Sequence, residues 1–362
     1  MENHDSFISE LGLSLDQTEI LYNFEKLKTE ADISIESDLK KKELKIEWSK
    51  QWSQSIGKIF SENLNNEGRK IRWYSESELR DVNKKEFTNT PNKIWYYLVI
   101  LEANFFEPYF PLEVYEEIDK KGKKTIIADK KFARLKINKK PDWLTEFVKV
   151  EGLIELNFIE RIRKTYESTY SRLTGKWNRL IVYGLGIIVV TALSFGTAAL
   201  FAPQIAVLLV GSSFAGLKGI ALINACLAYI GGGAIAAGGG GMAAGVATIA
   251  GGGAVLGFAT GAAAVGGVHA LGLFSNPELA LSQIARLEVT MKEIVLNSQR
   301  DVRFAQVILK KMNDSVKTVR DQLDRLEMDA KNNKEEIAKL RKVIDILKNA
   351  HKSMEQFSNV FA

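Results

Sequence analysis

Between Asp119 and Lys140 stand ten cations, Lys120, Lys121, Lys123, Lys124, Lys130, Lys131, Arg134, Lys136, Lys139 and Lys140, against two carboxylates, Asp119 and Asp129. Cations at that density neutralise phosphates and release counterions, so the first chemistry they suggest is capture of a polyanion. Aromatic residues interleave with cations at Lys45, Trp48, Lys50 and Trp52, and again at Arg69, Lys70, Arg72, Trp73 and Tyr74. An aromatic face stacks a base whatever its identity. The pattern therefore suits a nucleotide or short oligonucleotide, with Lys120, Lys121, Lys123, Lys124, Lys130, Lys131, Arg134 and Lys136 on the phosphates and Trp73 and Tyr74 beside the bases. The same residues also suit two plainer roles: a patch resting on anionic headgroups, and tryptophans that are simply core.

Catalytic chemistry has no comparable signature. The three histidines, His4, His269 and His351, fall in three different parts of the chain, and no metal-spaced Cys/His set, P-loop or G-x-S-x-G elbow occurs. The expectation is a non-enzyme without catalytic residues, metal or cofactor, although a site made of carboxylates alone stays open. The one cysteine, Cys226, excludes a disulfide framework within the chain.

A different chemistry is written into residues 180–276. Of the 28 glycines, 22 lie there, together with only one ordinary charge, Lys218. Three small-xxx-small pairs, Gly241/Gly245, Gly253/Gly257 and Gly257/Gly261, are suited to close backbone approach between helices in lipid. Lys218 is read either as a pore-lining or gating charge or as a lysine in a short turn between spans, flanked by Gly216 and Gly219. Leu180–Ala202 is an uncharged run bounded by Arg179 and Pro203. As a helix it would reach roughly 34 Å, enough for a hydrocarbon core of about 30 Å.

These residues need elements to position them. Apolar spacing predicts a helix through Ile20, Leu21, Phe24 and Leu27, and another from about Asp38 to Phe60 with Leu44, Trp48, Trp52, Ile56 and Ile59 as its stripe. The aromatic stretch Lys93–Phe106 ends before Pro108 and Pro111. Thr125–Ala128 and Phe132–Ile137 read as a hairpin turning at Asp129-Lys130-Lys131. Gly152–Arg179 reads as a helix leading into the apolar window. From Pro277 to the C-terminus no further proline or glycine occurs, and a heptad holds apolar residues in 18 of 22 a/d slots, with Glu288, Ser298, Asn333 and His351 as the exceptions. One coiled-coil helix on the order of 100 Å follows, needing another subunit or the N-terminal arm to cover its seam.

The expected fold is thus a mainly α membrane protein: a mixed α domain with a small β element over residues 1–150, a linker helix over 151–179, glycine-rich transmembrane helices over 180–276 and a coiled coil over 277–362. The expected partners are a lipid bilayer, further copies of the chain in a homo-oligomer, and the nucleotide ligand. Arg161, Arg163, Lys164, Arg172, Lys176 and Arg179 before the first run place the N-terminal arm in the cytosol, at the cell inner membrane. The acidic N-terminus has no apolar core of a secretory signal.

The run Gly231–Gly253 resembles the glycine-rich membrane segments of interferon-inducible small membrane proteins and of several bacterial proteins. The order of parts resembles the transmembrane effectors of bacterial anti-phage systems, the Hailong-type membrane effectors among them. That resemblance implies a gated channel or pore-forming effector in anti-phage defence, held closed by an oligonucleotide from a partner nucleotidyltransferase; it carries no functional residue across. A hydrophobic segment between long helices is also similar to α-helical pore-forming toxins of the cytolysin A and haemolysin BL type. A structural tether with a coiled-coil spacer is the third reading.

Overall fold

The computed structural model describes residues 13, 15–62, 70–110, 112, 114–118, 124–128, 131–138, 142–174, 225 and 277–361. The N-terminal arm opens with two helices, α1 (Leu15–Ile35) and α2 (Leu39–Glu62). Ile20, Leu21 and Phe24 on α1 and Trp48, Trp52 and Ile56 on α2 recur at helical spacing, and all are buried. Helix α3 (Glu76–Asn89) starts at a capping box. The Ser75 hydroxyl accepts from the Glu78 amide while the Glu78 carboxylate accepts from the Ser75 amide.

Helix α4 (Ile94–Phe105) is apolar around its whole circumference, and every residue from Ile94 to Ala103 is buried. A helix without a polar face belongs at the centre of a body, and α1 packs along it. Its open C-terminal carbonyls are satisfied from outside: the Lys28 ammonium of α1 donates to the carbonyls of Ala103 (2.8 Å), Asn104 (3.1 Å) and Phe106 (2.7 Å). Trp48 and Trp52 stack at 5.9 Å beside Phe106, and the Trp48 indole donates to the Phe110 carbonyl.

The β element differs from the expected one. Strand β2 (Lys124–Ala128) pairs antiparallel with the preceding β1 (Val114–Ile118), in a register running from Val114 opposite Ala128 to Ile118 opposite Lys124. The expected second strand is not one. Residues 131–134 turn, the Leu135 amide bonds back to the Phe132 carbonyl, and Phe132 and Leu135 are used as core. Helix α5 (Trp143–Glu151) is capped by Asp142 at one end and ends on Gly152 in the left-handed region (φ 68°). Helix α6 (Phe158–Thr174) follows.

The C-terminal arm is not one long helix. It consists of α7 (Pro277–Val289), a π-helix (Thr290–Ser298), α8 (Val302–Glu327) and α9 (Lys334–Ser358). After the π-helix, Arg300 takes a left-handed conformation (φ 56°), and Asp301 caps α8 by accepting from the Phe304 amide. The chain reverses again at 328–333, and α8 and α9 run antiparallel, with Glu327 beside Arg341 at one end and Gln306 beside Ser358 at the other. Most heptad positions are buried as expected, Ala305, Leu309, Met312, Val316 and Val319 on α8 and Leu340, Ile344, Leu347 and Met354 on α9, while Val302, Leu323 and Leu326 are half-buried and Ala330 is exposed. Their cover comes from within the same chain. A seam folded back on itself needs no second copy, so the heptad no longer argues for a homo-oligomer.

Among the described residues no helix is long and apolar enough to cross a membrane. The class of mainly α membrane protein is therefore withdrawn, and with it the transmembrane, channel and pore assignments as far as they concern the described helices. What stands is a helical body built from both arms, with one β-hairpin. Gly241, Gly245, Gly253, Gly257, Gly261 and Lys218 lie outside the described residues.

Candidate functional site

The two arms meet where α6 runs antiparallel to α7 and the π-helix. Arg161 commits all its guanidinium nitrogens there: Nε donates to Glu293 (3.1 Å), Nη2 to Ser298 (3.1 Å) and Nη1 to Asn157 of its own arm (2.7 Å). One turn on, the Thr165 hydroxyl donates to the other oxygen of Glu293 at 2.6 Å. Two turns further, Arg172 donates to Glu288 and to the Asn349 carbonyl of α9. As residue number rises along α6 it falls along the C-terminal partner, so residues 174 and 277, which border the apolar run, leave the body at the same end.

Glu288 is fully buried and receives three donors: Arg172, Lys292 at 2.6 Å and Ser353 at 2.8 Å. A buried carboxylate is tolerable only when its lone pairs are filled in this way. Lys292 also donates to Ser353 and lies over the Phe357 ring, which ties α9 into the same knot. A third pair, Arg286 with Glu102 at 3.1 Å, is buried on both sides and joins α7 to the central helix α4. The π-helix sits inside this junction. Its widened turn leaves 298–300 to close by bonds from Gln299 to Ile294 and from Asp301 to Val295. Such insertions are uncommon and concentrate at functional positions.

The N-terminal side of α6 is held by Arg163, which donates to Asn104 (2.7 Å) and to Asp142. Burial alone would raise the Asp142 carboxyl, but Arg163 and the Thr145 hydroxyl hold it below the usual carboxylate range. Burial pushes the neighbouring Lys28 ammonium down to about 8, and the Arg163 charge adds to the effect. Burial, followed by the bond to Glu155, pushes the Tyr97 hydroxyl up to about 12.

A second charged cluster lies inside the N-terminal arm. Lys45 is 1% exposed and pairs with Asp32 at 2.7 Å and Glu36 at 2.9 Å. Asp32 also accepts from the Tyr109 hydroxyl (2.5 Å) and from the Asn138 amide and side chain (2.6 and 2.9 Å). Tyr109 itself has φ 73°, a backbone state a tyrosine holds only under constraint. The cluster fastens the segments on both sides of the hairpin to α1 and α2.

Against this frame the proposed phosphate and base contacts separate. Lys120, Lys121, Lys123 and Lys130 lie outside the described residues, and Lys124 is placed in β2. Lys131 pairs with Glu47 and lies over Phe132, while Arg134 and Lys136 are exposed. Trp73 is half-buried against Trp52 at 6.1 Å, with the Lys26 ammonium over its ring. Tyr74 is half-buried, its hydroxyl donating to Glu19 and its amide to Asn23. Both aromatics are packed onto α1 and α2. Among the described residues no group of His, Cys, Asp and Glu could hold a metal ion.

The pairing of Arg161 and Arg172 with Glu288, Glu293 and Ser298 has no signature in the sequence, where the two arginines read only as a basic flank, because ion pairs between distant segments have no local spacing. Two of these residues did leave a signal: Glu288 and Ser298 are polar interruptions of an otherwise apolar heptad. No family model, curated protein or solved structure matches the chain.

Proposed function

We propose that the chain is a helical carrier for the apolar, glycine-rich segment between its arms, and that the segment's target is a lipid bilayer, whose barrier it breaches. The observation that carries this reading is the antiparallel pairing of α6 with α7 and the π-helix, fastened by Arg161–Glu293 and Arg172–Glu288, from one end of which the chain leaves after 174 and re-enters at 277. Residues 180–276, with 22 glycines and one ordinary charge, have nothing to offer an aqueous or ionic partner, whereas hydrocarbon accepts them. The body lends the segment a fixed base and supplies the charged surface that keeps the whole in water.

This arrangement favours the resemblance to α-helical toxins, in which a hydrophobic segment sits between long helices of one body, over a chain of separate modules. The anti-phage setting remains part of the proposal through the other resemblance. Flotation with lipid vesicles and release of an entrapped dye test the reading. Wild-type chain floats and releases dye, whereas Leu193→Asp, a charge in the uncharged run, abolishes both and leaves the helical signal of the body intact. Flotation without release supports the tether instead, and absence of flotation overturns the bilayer as target.

A further inference from the structure

We propose that residues 163–174 of α6 are a reversible latch that lifts from the body while 158–162 stay anchored. This device regulates the junction described above and rests on that reading for its purpose. Its test reads backbone opening and not lipid, so either can fail alone.

The two halves of α6 are held by different forces. Phe158, Ile159 and Ile162 in the first turns are buried, and Phe158 sits edge-on against Tyr97 at 4.9 Å. Beyond Ile162 the buried side chains are Thr169 and Leu173. Further hold comes from Tyr166 against Phe105 and from polar contacts: Arg163 to Asp142 and Asn104, Thr165 to Glu293, and Arg172 to Glu288 and the Asn349 carbonyl. Apolar burial is lost as soon as water enters, but an ion pair can be exchanged for water or for another ion.

The decisive feature is how each carboxylate is partnered. Glu288 has Arg172 as a visitor from α6, but it also has residents on its own side, Lys292 and Ser353. Asp142 has Arg163 as a visitor and keeps Thr145, whose amide and hydroxyl both donate to it. Glu293 has Thr165 as a visitor and keeps Asn297 at 2.9 Å. Arg161, at the anchored end, stays with it as well. A purely structural buried pair breaks at great cost because one charge is stranded. Here all three carboxylates stay partnered when α6 lifts, and the departing arginines move into water. The latch opens without stranding a charge on the body.

Amide hydrogen exchange on the full chain tests this. The double substitution Arg163→Gln and Arg172→Gln raises exchange in 166–174 by about tenfold or more while 158–162 and α7 keep wild-type protection. An unchanged rate, or an equal rise in 158–162, overturns the latch. Lys292→Met gives the opposite sign. Without its resident cation Glu288 depends on Arg172, so exchange in 166–174 stays at the wild-type rate or slows. A rise there shows Lys292 as a mere structural support and overturns the proposal. If the double variant does not fold, the wild-type chain at roughly 0.05 M and 0.5 M salt decides, since salt screens the half-exposed pairs. A rise confined to 166–174 supports the latch, and no rise or a uniform one overturns it.

Discussion

Arg172 and Glu288 meet across 116 residues of sequence, and the glutamate side chain has no solvent exposure while the arginine side chain keeps 37% of its own. The two sides therefore have unequal consequences. Arg172→Gln removes one of three donors to Glu288 and costs about 1 kcal/mol, discounted for the arginine's exposure. Glu288→Gln leaves Lys292 and Arg172 facing a neutral amide and costs about 2–4 kcal/mol. Urea denaturation of both variants checks the order; equal losses contradict it.

Lys45 and Asp32 form the most deeply buried ion pair among the described residues, exposed by 1% and 2% at the side chain. Lys45→Met leaves Asp32 and Glu36 without their cation and costs about 3–5 kcal/mol. Adding Asp32→Asn removes the stranded charge and returns part of that loss, so the double variant is more stable than Lys45→Met alone. Chemical denaturation of the full cycle measures the coupling.

Stability depends on pH through Lys28. Its ammonium is lowered from 10.5 to about 8 in the folded chain, with Arg163 adding to burial and Glu107, Asp142 and Glu25 opposing it. Between those values the unfolded chain binds the proton and the folded chain does not. Stability therefore climbs with pH across this window, and the contribution is lost as pH falls through about 8. Tyr22, Tyr97 and Tyr109 are shifted upward by burial, so their contribution is present below pH 10 and is lost above it. Urea midpoints from pH 8 to about 9.5 isolate the lysine. Lys28→Arg, which keeps the charge at every pH used, flattens the rise.

Leu323 and Leu326 lie half-buried in the seam between α8 and α9. Replacing both with Asp lowers the stability of the hairpin by about 1–3 kcal/mol per residue, because the charges must be desolvated or the seam opened. Sizing by light scattering stays at the wild-type value, since the seam is covered within the chain. A smaller particle identifies it as a contact between subunits after all.

What the sequence reveals is which faces are buried; what buries them is less legible. The α1 and α2 stripes are readable because helical periodicity is local, whereas α4, apolar all round, has no stripe to read. The heptad marks Leu309, Met312, Leu340 and Leu347 for burial correctly, yet it says nothing of the covering helix, and the turn at 328–333 carries neither proline nor glycine to announce it. Asn333, polar in an apolar slot, is the residue there that hints at it. Trp73 and Tyr74 illustrate the opposite difficulty. An aromatic among cations reads equally as a stacking surface or as core, and only the positions of Trp52, Glu19 and Asn23 show these two packed onto helices.

The antiparallel meeting of α6 with α7 also dictates an order of assembly. All of residues 175–276 must be synthesised before Arg172 can find Glu288, and drawing the ends of a loop of roughly 100 residues together costs about 4 kcal/mol of chain entropy. The partners of α4 on α1 are local by comparison, and α8 and α9 are joined by a short turn. The N-terminal arm thus emerges from the ribosome with an α4 surface that awaits Arg286, and the α8–α9 hairpin completes the body only after residues 302–358 have been made.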